Sequence, residues 1–221
     1  MNSQEKTLVF DYRVTRFVMG LIALTLPFVV RIISGDRLSS ISASYYTCAR
    51  NEFVGMLFIV GSFLLAYNGY RVRESLASKA AALAAIIVAL CPTNCDTCRI
   101  NSISRIHFTS ATILLLVLTY FCFGPFSRKA KEKNTTKARR RRKVYITCGV
   151  VMIGCILTVA VLNMVLPGTE VTRLRITYWS ESAALVAFGI CWMTASKTFR
   201  VIADKDEIFM LFKLPWLQQK L

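Results

Sequence analysis

Apolar residues group along the chain into six stretches that are separated by polar segments. The stretches cover residues 14–33, 52–70, 76–90, 107–123, 144–166 and 178–199, and the third is short. A helix needs about 20 apolar residues to cross the hydrocarbon core of a bilayer. The pattern therefore predicts an all-α membrane protein, a bundle of six transmembrane helices in which residues 1–221 form a single domain.

Composition agrees with this fold class, since 55% of the residues are hydrophobic and the mean hydropathy is +0.50. The connections are too short for a separate extramembrane domain, so function is expected inside the bundle or at its rims. Small residues in the second and third stretches, such as Gly61 and Ala85, predict that these two helices form the packed centre.

The basic residues sort by side if both ends of the chain face the same way. Of the 28 Lys and Arg residues, 21 then fall on one side and 7 on the other. The positive-inside rule places the richer side, and therefore both termini, in the cytoplasm. This assigns residues 124–143 to a basic cytoplasmic loop and residues 200–221 to a cytoplasmic tail.

Ten basic residues lie between Arg128 and Lys143, in a chain of net charge +16. Such a segment is expected to contact the anionic headgroups of membrane lipids. It has neither the aromatic interleaving nor the folded basic domain that nucleic-acid binding requires, so no nucleic-acid partner is expected.

The opposite, outer side carries the more varied chemistry. Glu181 stands just inside the predicted membrane boundary and needs either a cation or a proton there. Arg31, Arg50 and Arg175 are the ion-pair candidates on that side, and a ligand-binding or proton-accepting role is the alternative. The candidate ligand-binding residues are Ser42, Ser44, Tyr45, Tyr46, Arg50, His107 and Glu181.

His107 is the only histidine in the chain, which excludes a multi-histidine metal site. We expect no metal and no cofactor. A histidine at the start of a helix is either a hydrogen-bonded interface residue or, beside the outer arginines, a holder of a phosphate or carboxylate headgroup.

Four of the eight cysteines fall on the outer side, namely Cys48, Cys91, Cys95 and Cys98. An even number of cysteines on an oxidising face predicts one or two disulfides, whose connectivity the sequence leaves open.

The segment Leu38-Ser39-Ser40-Ile41-Ser42-Ala43 and the later Ile106-His107-Phe108 carry a family resemblance. The chain resembles the six-span superfamily that includes the DRAM (damage-regulated autophagy modulator) proteins, the glycosylphosphatidylinositol lipid-remodelling proteins and bacterial families of unknown function. The resemblance implies a lipid-linked or membrane-trafficking role. Ser39 and Ser40 stand where the loop motif usually has a proline.

These observations favour a non-enzymatic protein of the plasma or inner membrane, with an endomembrane as the alternative location. Its outward-facing polar cavity is expected to bind a lipid headgroup or small amphiphile. An oligomeric ion channel or small-solute transporter is the second hypothesis, and a homo-oligomer is compatible with both. The third is an intramembrane lipid-modifying enzyme with His107 as base.

Overall fold

The computed structural model describes residues 12–35, 37–93 and 102–204, and it is helical throughout its regular elements. Each apolar stretch lies largely within one long helix. The helices are α1 (Tyr12–Ser34), α2 (Arg50–Ala66), α3 (Val72–Leu90), α4 (Ser102–Phe121), α5 (Ser127–Lys133), α6 (Thr136–Val165), α7 (Gly168–Arg173) and α8 (Ile176–Ser196), with a 3-10 helix at Ser42–Tyr46.

Among the residues that the structure describes, three helical segments are long and apolar enough to cross a membrane: Tyr12–Ser34, Ser102–Lys133 and Thr136–Val165. The other three long helices are shorter or more polar. Helix α2 has 17 residues, a length of about 26 Å at the usual rise. Helix α3 carries charges in its first turns, and α8 carries hydroxyls and a carboxylate. The fold is therefore that of an all-helical, membrane-compatible protein.

Helices α1 and α8 run antiparallel along each other. A hydrogen bond joins Arg16 near the start of α1 to the carbonyl of Ala195 near the end of α8. Another joins the hydroxyl of Tyr178, near the start of α8, to the carbonyl of Pro27. Together these contacts fix the direction of the helix pair.

The two backbones touch between those hydrogen bonds. A Cβ added to Gly189 would lie 2.7 Å from the carbonyl oxygen of Gly20, and one added to Gly20 would lie 2.6 Å from Met193. Helices α2 and α3 also pack closely, since a Cβ on Gly61 would lie 3.3 Å from the carbonyl of Ala82. The closest approach therefore belongs to the α1–α8 pair, whereas the sequence pointed to α2 and α3.

Trp192 of α8 is the largest fully buried side chain and lies at the centre of an aromatic cluster. Its ring contacts, edge-on or tilted, those of Tyr67, Phe121, Phe126 and Phe188. Aromatic rings prefer these offset geometries, which adds to the burial of their apolar area. Helix α8 is thus a core helix.

Most of segment 124–143 is helical and not an extended loop. Helix α4 passes through a π turn at Cys122–Phe126, where Pro125 interrupts the usual bonding, and continues as α5. Asn134 ends α5 in the left-handed region, with φ of 51°. The Thr135 side chain then caps α6 by accepting from the N–H of Ala138. Lys, Arg and Ala are good helix formers, which suits the flanking turns.

Candidate functional site

Two groups of polar side chains lie at opposite ends of α1. The loop end is defined by the 3-10 helix Ser42–Tyr46 and the first turns of α8. The basic end is defined by Arg16, α5 and the first turns of α6. The sequence-based candidates belong to the loop end.

Glu181 holds the segment before α2 against α8. Its carboxylate accepts a hydrogen bond from the backbone N–H of Ile41 at 2.5 Å and from the hydroxyl of Ser42 at 3.4 Å. The carbonyl of Ser39 accepts from the N–H of Tyr178 at 3.0 Å. The hydroxyl of Ser44, which is fully buried, donates back to the carbonyl of Ile41. Glu181 therefore anchors the start of the 3-10 helix.

The arginines near Glu181 contact aromatic rings. The guanidinium of Arg175 lies 4.4 Å from the ring centre of Tyr178 and 5.6 Å from that of Trp179. Arg31 lies over the same two rings at 5.8 and 6.0 Å. The Nε of Arg175 also donates to the carbonyl of Leu38. These contacts are cation–π in kind, and the ion pair of Glu181 with Arg31 or Arg175 stays a prediction.

Arg50 and Tyr45 form a second unit at the loop end. The guanidinium donates to the Tyr45 hydroxyl at 2.7 Å and lies 4.2 Å from the ring centre. Both side chains line an open groove of about 360 Å³ between α2 and the end of α3. Its remaining walls are Asn51, Val54, Gly55, Ala89 and Leu90. The groove thus places one cation beside a mainly apolar floor.

His107 is 2% exposed, and its Nδ1 lies 2.6 Å from the carbonyl oxygen of Cys91. The contact ties the start of α4 to the end of α3. The Tyr46 hydroxyl makes a similar link by donating to the carbonyl of Thr93 at 2.5 Å. Arg50, His107 and Glu181 therefore make three separate sets of contacts, and neither His107 nor Glu181 lines the groove beside Arg50.

The candidate cysteines divide between described and undescribed residues. Cys48 and Cys91 both have free thiols, and the Cys48 thiol donates to the carbonyl of Ile33. Cys95 and Cys98 lie outside the described residues, so their disulfides stay a prediction. Within the described ranges, metal-ligating side chains do not come together in groups of three or more.

At the basic end the structure buries a cation that the sequence analysis had only counted. Arg16 is 6% exposed. Its guanidinium donates to the hydroxyl of Tyr67 at 2.9 Å and to that of Tyr70 at 3.3 Å, besides the carbonyl of Ala195. The guanidinium also lies over the rings of Tyr67, Tyr70 and Phe126. The helical spacing of Arg16 with Gly20, Ala23 and Pro27 marks the buried face of α1 and is the signal that would have found it.

A buried carboxylate, Glu74, was also missed. It is fully buried, pairs with Arg128 of α5 and accepts from the N–H of Tyr70 at 2.7 Å. The contact joins the start of α3 to the helix that carries the basic segment. Glu74 lies among the basic residues of a connection, where an acid is usually solvated, so its burial was not expected from the sequence.

No family model, curated protein or solved structure matches the chain. The function must therefore be argued from the two ends of the bundle themselves.

Proposed function

We propose that this is an integral membrane protein of six spans, with both termini in the cytoplasm, which binds the anionic headgroup of an amphiphile in the groove beside Arg50. One observation carries the proposal: an exposed guanidinium stands at the edge of a groove whose floor is mainly apolar. A charged headgroup and an attached hydrocarbon chain need that combination.

The six spans rest on how the three less apolar helices are buried. Helix α8 buries Ser180, Thr194 and Ser196, and α3 buries Ser78, whose hydroxyl donates to the carbonyl of Leu64. Polar side chains in membrane helices usually face the bundle interior and bond to their neighbours. The buried hydroxyls of α3 and α8 therefore support an assignment of these helices as spans whose polar side chains face the bundle interior.

The orientation rests on the basic residues. The basic end gathers Arg16, Lys129 and the first turns of α6, whereas the loop end keeps its arginines stacked on Tyr45, Tyr178 and Trp179. Tyrosine and tryptophan are enriched at the level of the lipid headgroups. The aromatic–arginine pairs suit an outer interface, and the basic end suits the cytoplasmic surface.

The chemistry of the groove favours an anionic headgroup. The Arg50 guanidinium is held by Tyr45 through one of its N–H groups, which leaves others able to bond a phosphate or carboxylate oxygen. Val54, Gly55 and Leu90 offer an apolar surface to a chain. A Cβ on Gly55 would meet nothing within 4 Å, so the groove is open at this point.

Two variants test the groove. We expect Arg50→Gln to remove headgroup binding and Gly55→Ile to obstruct the chain, since the added side chain enters the open groove. Binding of added phosphatidylglycerol to the detergent-purified protein is measured by native mass spectrometry. Arg50→Gln should weaken binding roughly tenfold, the loss expected for one charge-assisted contact, and Gly55→Ile should weaken it by blocking the chain.

The matched control is Gly154→Ile, because a Cβ on Gly154 of α6 also meets nothing within 4 Å. It adds the same side chain outside the groove and should bind like the unmodified protein. Equal lipid binding by the Gly55 and Gly154 variants would contradict the proposal. Phosphatidylcholine serves as the neutral reference lipid.

A further inference from the structure

A second, smaller pocket lies at the basic end and is lined by cations from four separate elements. Its volume is about 40 Å³. Arg16 comes from α1, Lys129 from α5 and Arg141 from α6, while Lys197 directly follows α8. Tyr70 and Tyr145 line it as well. Because these residues are distant in sequence, the convergence is a property of the folded bundle and not of the basic run alone.

Arg16 gives the independent sign that the pocket is made for a ligand. Its side chain is more than nine-tenths buried, and among the described residues its Nε has no hydrogen-bond partner. The partners of its other nitrogens are a carbonyl and two hydroxyls, all uncharged. A buried guanidinium without an anion is costly, and an ion in the pocket would remove that cost.

The nearby carboxylates among the described residues do not occupy the pocket. Glu132 lies 3.0 Å from Lys129, and Asp204 lies 3.6 Å from Arg141. Neither acid is among the residues that line the pocket. Its walls therefore present positive charge and tyrosine hydroxyls, a combination that selects for an anion with several acceptor oxygens.

The size limits the ligand. A water needs about 10–15 Å³ of such volume, so the pocket holds about three waters, which is near the size of a tetrahedral oxyanion. We propose that this pocket binds a phosphate group, presented either by an anionic lipid or by free phosphate. The site is separate from the groove beside Arg50 and lies at the other end of α1.

The test compares two neighbouring lysines of α5. Lys129 lines the pocket, whereas Lys131 is exposed and does not. Protein carrying Arg50→Gln, in which binding at the outer groove is weakened, is purified in a neutral detergent. Its Tm is followed against inorganic phosphate in one arm and phosphatidic acid in the other, at constant ionic strength with chloride. A ligand that binds only the folded state raises Tm.

We expect a rise in Tm with at least one probe. The apparent Kd should weaken roughly three- to tenfold in Lys129→Gln and stay unchanged in Lys131→Gln, as expected for loss of one charged contact at a partly exposed site. Arg16→Gln should abolish the rise if that variant folds. A response to phosphate supports a free-ion site, and a response to phosphatidic acid alone supports a lipid headgroup.

Two results would overturn the proposal: no rise with either probe, or equal responses of the Lys129 and Lys131 variants. Because every measurement is made without Arg50, neither result bears on the outer groove. Conversely, loss of binding at the groove leaves the expected phosphate response intact.

Discussion

The arginines at the two ends of the bundle differ in their exposure and in the residues that they contact. At the loop end, Arg50 and Arg175 lie on aromatic rings close to them in sequence, and Arg50 stays exposed. At the basic end, Arg16 is buried and bonds to groups from α8 and from the segment after α2. Arg50 is therefore held by a contact that is local in sequence, and Arg16 by contacts with distant helices.

This difference separates two uses of charge. An exposed guanidinium on a ring is held in place while it remains able to meet an outside ligand. A buried guanidinium among hydroxyls and carbonyls fixes the helices that surround it. Substitutions at the basic end should therefore lower the stability of the whole bundle, whereas those at the loop end should act locally.

The largest effect is expected where both ends depend on the same helix pair. In Gly189→Leu the new side chain meets the backbone of Gly20 and forces α1 away from α8. We expect the free energy of unfolding to fall by about 3 kcal/mol or more, as is typical of severe overpacking. The change is measured as a fall in Tm. Gly154→Leu is the control, since its side chain enters open space. Equal Tm values would contradict the α1–α8 contact.

The next effect tests the basic end. Glu74→Gln removes the buried charge that pairs with Arg128 and leaves this partly buried cation with only its longer contact to Glu132, at 3.7 Å. The free energy of unfolding should fall by about 2–3 kcal/mol. This is less than the cost of breaking a fully buried ion pair, because Arg128 is partly exposed. The exposed Glu170→Gln is the matched control, with an i,i+3 pair that should contribute little. A global fall in Tm confined to the Glu74 variant is the predicted result.

A smaller and more local effect is expected at the loop end. Glu181→Gln keeps an acceptor oxygen for the N–H of Ile41 but replaces the second carboxylate oxygen, which accepts from Ser42, with an amide N–H2 group that cannot accept. We expect the free energy of unfolding to fall by about 1 kcal/mol. Limited proteolysis should cleave the segment before α2 faster. Cleavage rates measured beside those of Glu74→Gln sharpen the comparison. The comparison between the two ends would fail if the Ser42–Tyr46 segment were cleaved faster in Glu74→Gln than in Glu181→Gln.

The smallest effect concerns Tyr45. Tyr45→Phe removes the hydroxyl that accepts from Arg50 but keeps the ring beneath the guanidinium. Stability should change by about 0.5 kcal/mol or less at this exposed contact. Lipid binding at the groove should persist, because the cation stays in place. A loss of binding as large as that of Arg50→Gln would show that the hydroxyl itself contacts the ligand.

The periodicity of apolar residues predicted the positions of the long helices well, because a run of about 20 apolar residues and a helix of similar length coincide. It did not predict which helices pair. The close contact of Gly20 with Gly189 depends on the rotation of two helices far apart in sequence, which a single chain's hydropathy does not record.

The site was predicted unevenly for the same reason. Tyr45 and Arg50 are five residues apart, so their proximity follows from local structure. Glu181 and Ser42 were both singled out, and the structure brings them within 3.4 Å although they are 139 residues apart. His107 instead bonds the carbonyl of Cys91. Burial of Glu74 went unnoticed because basic connections normally face water, and burial of Arg16 because its place on the buried face of α1 was not taken into account.

The α1–α8 pair has a consequence for how the protein is made. Arg16 and Ala195 are 179 positions apart, and synthesis proceeds from the N-terminus at about 5–20 residues per second. For roughly ten seconds or more, therefore, the face of α1 that packs on α8 is uncovered, although Tyr67 and Tyr70, which accept from Arg16, are synthesised early. A chain whose synthesis stalls before α8 lacks the partner of that face.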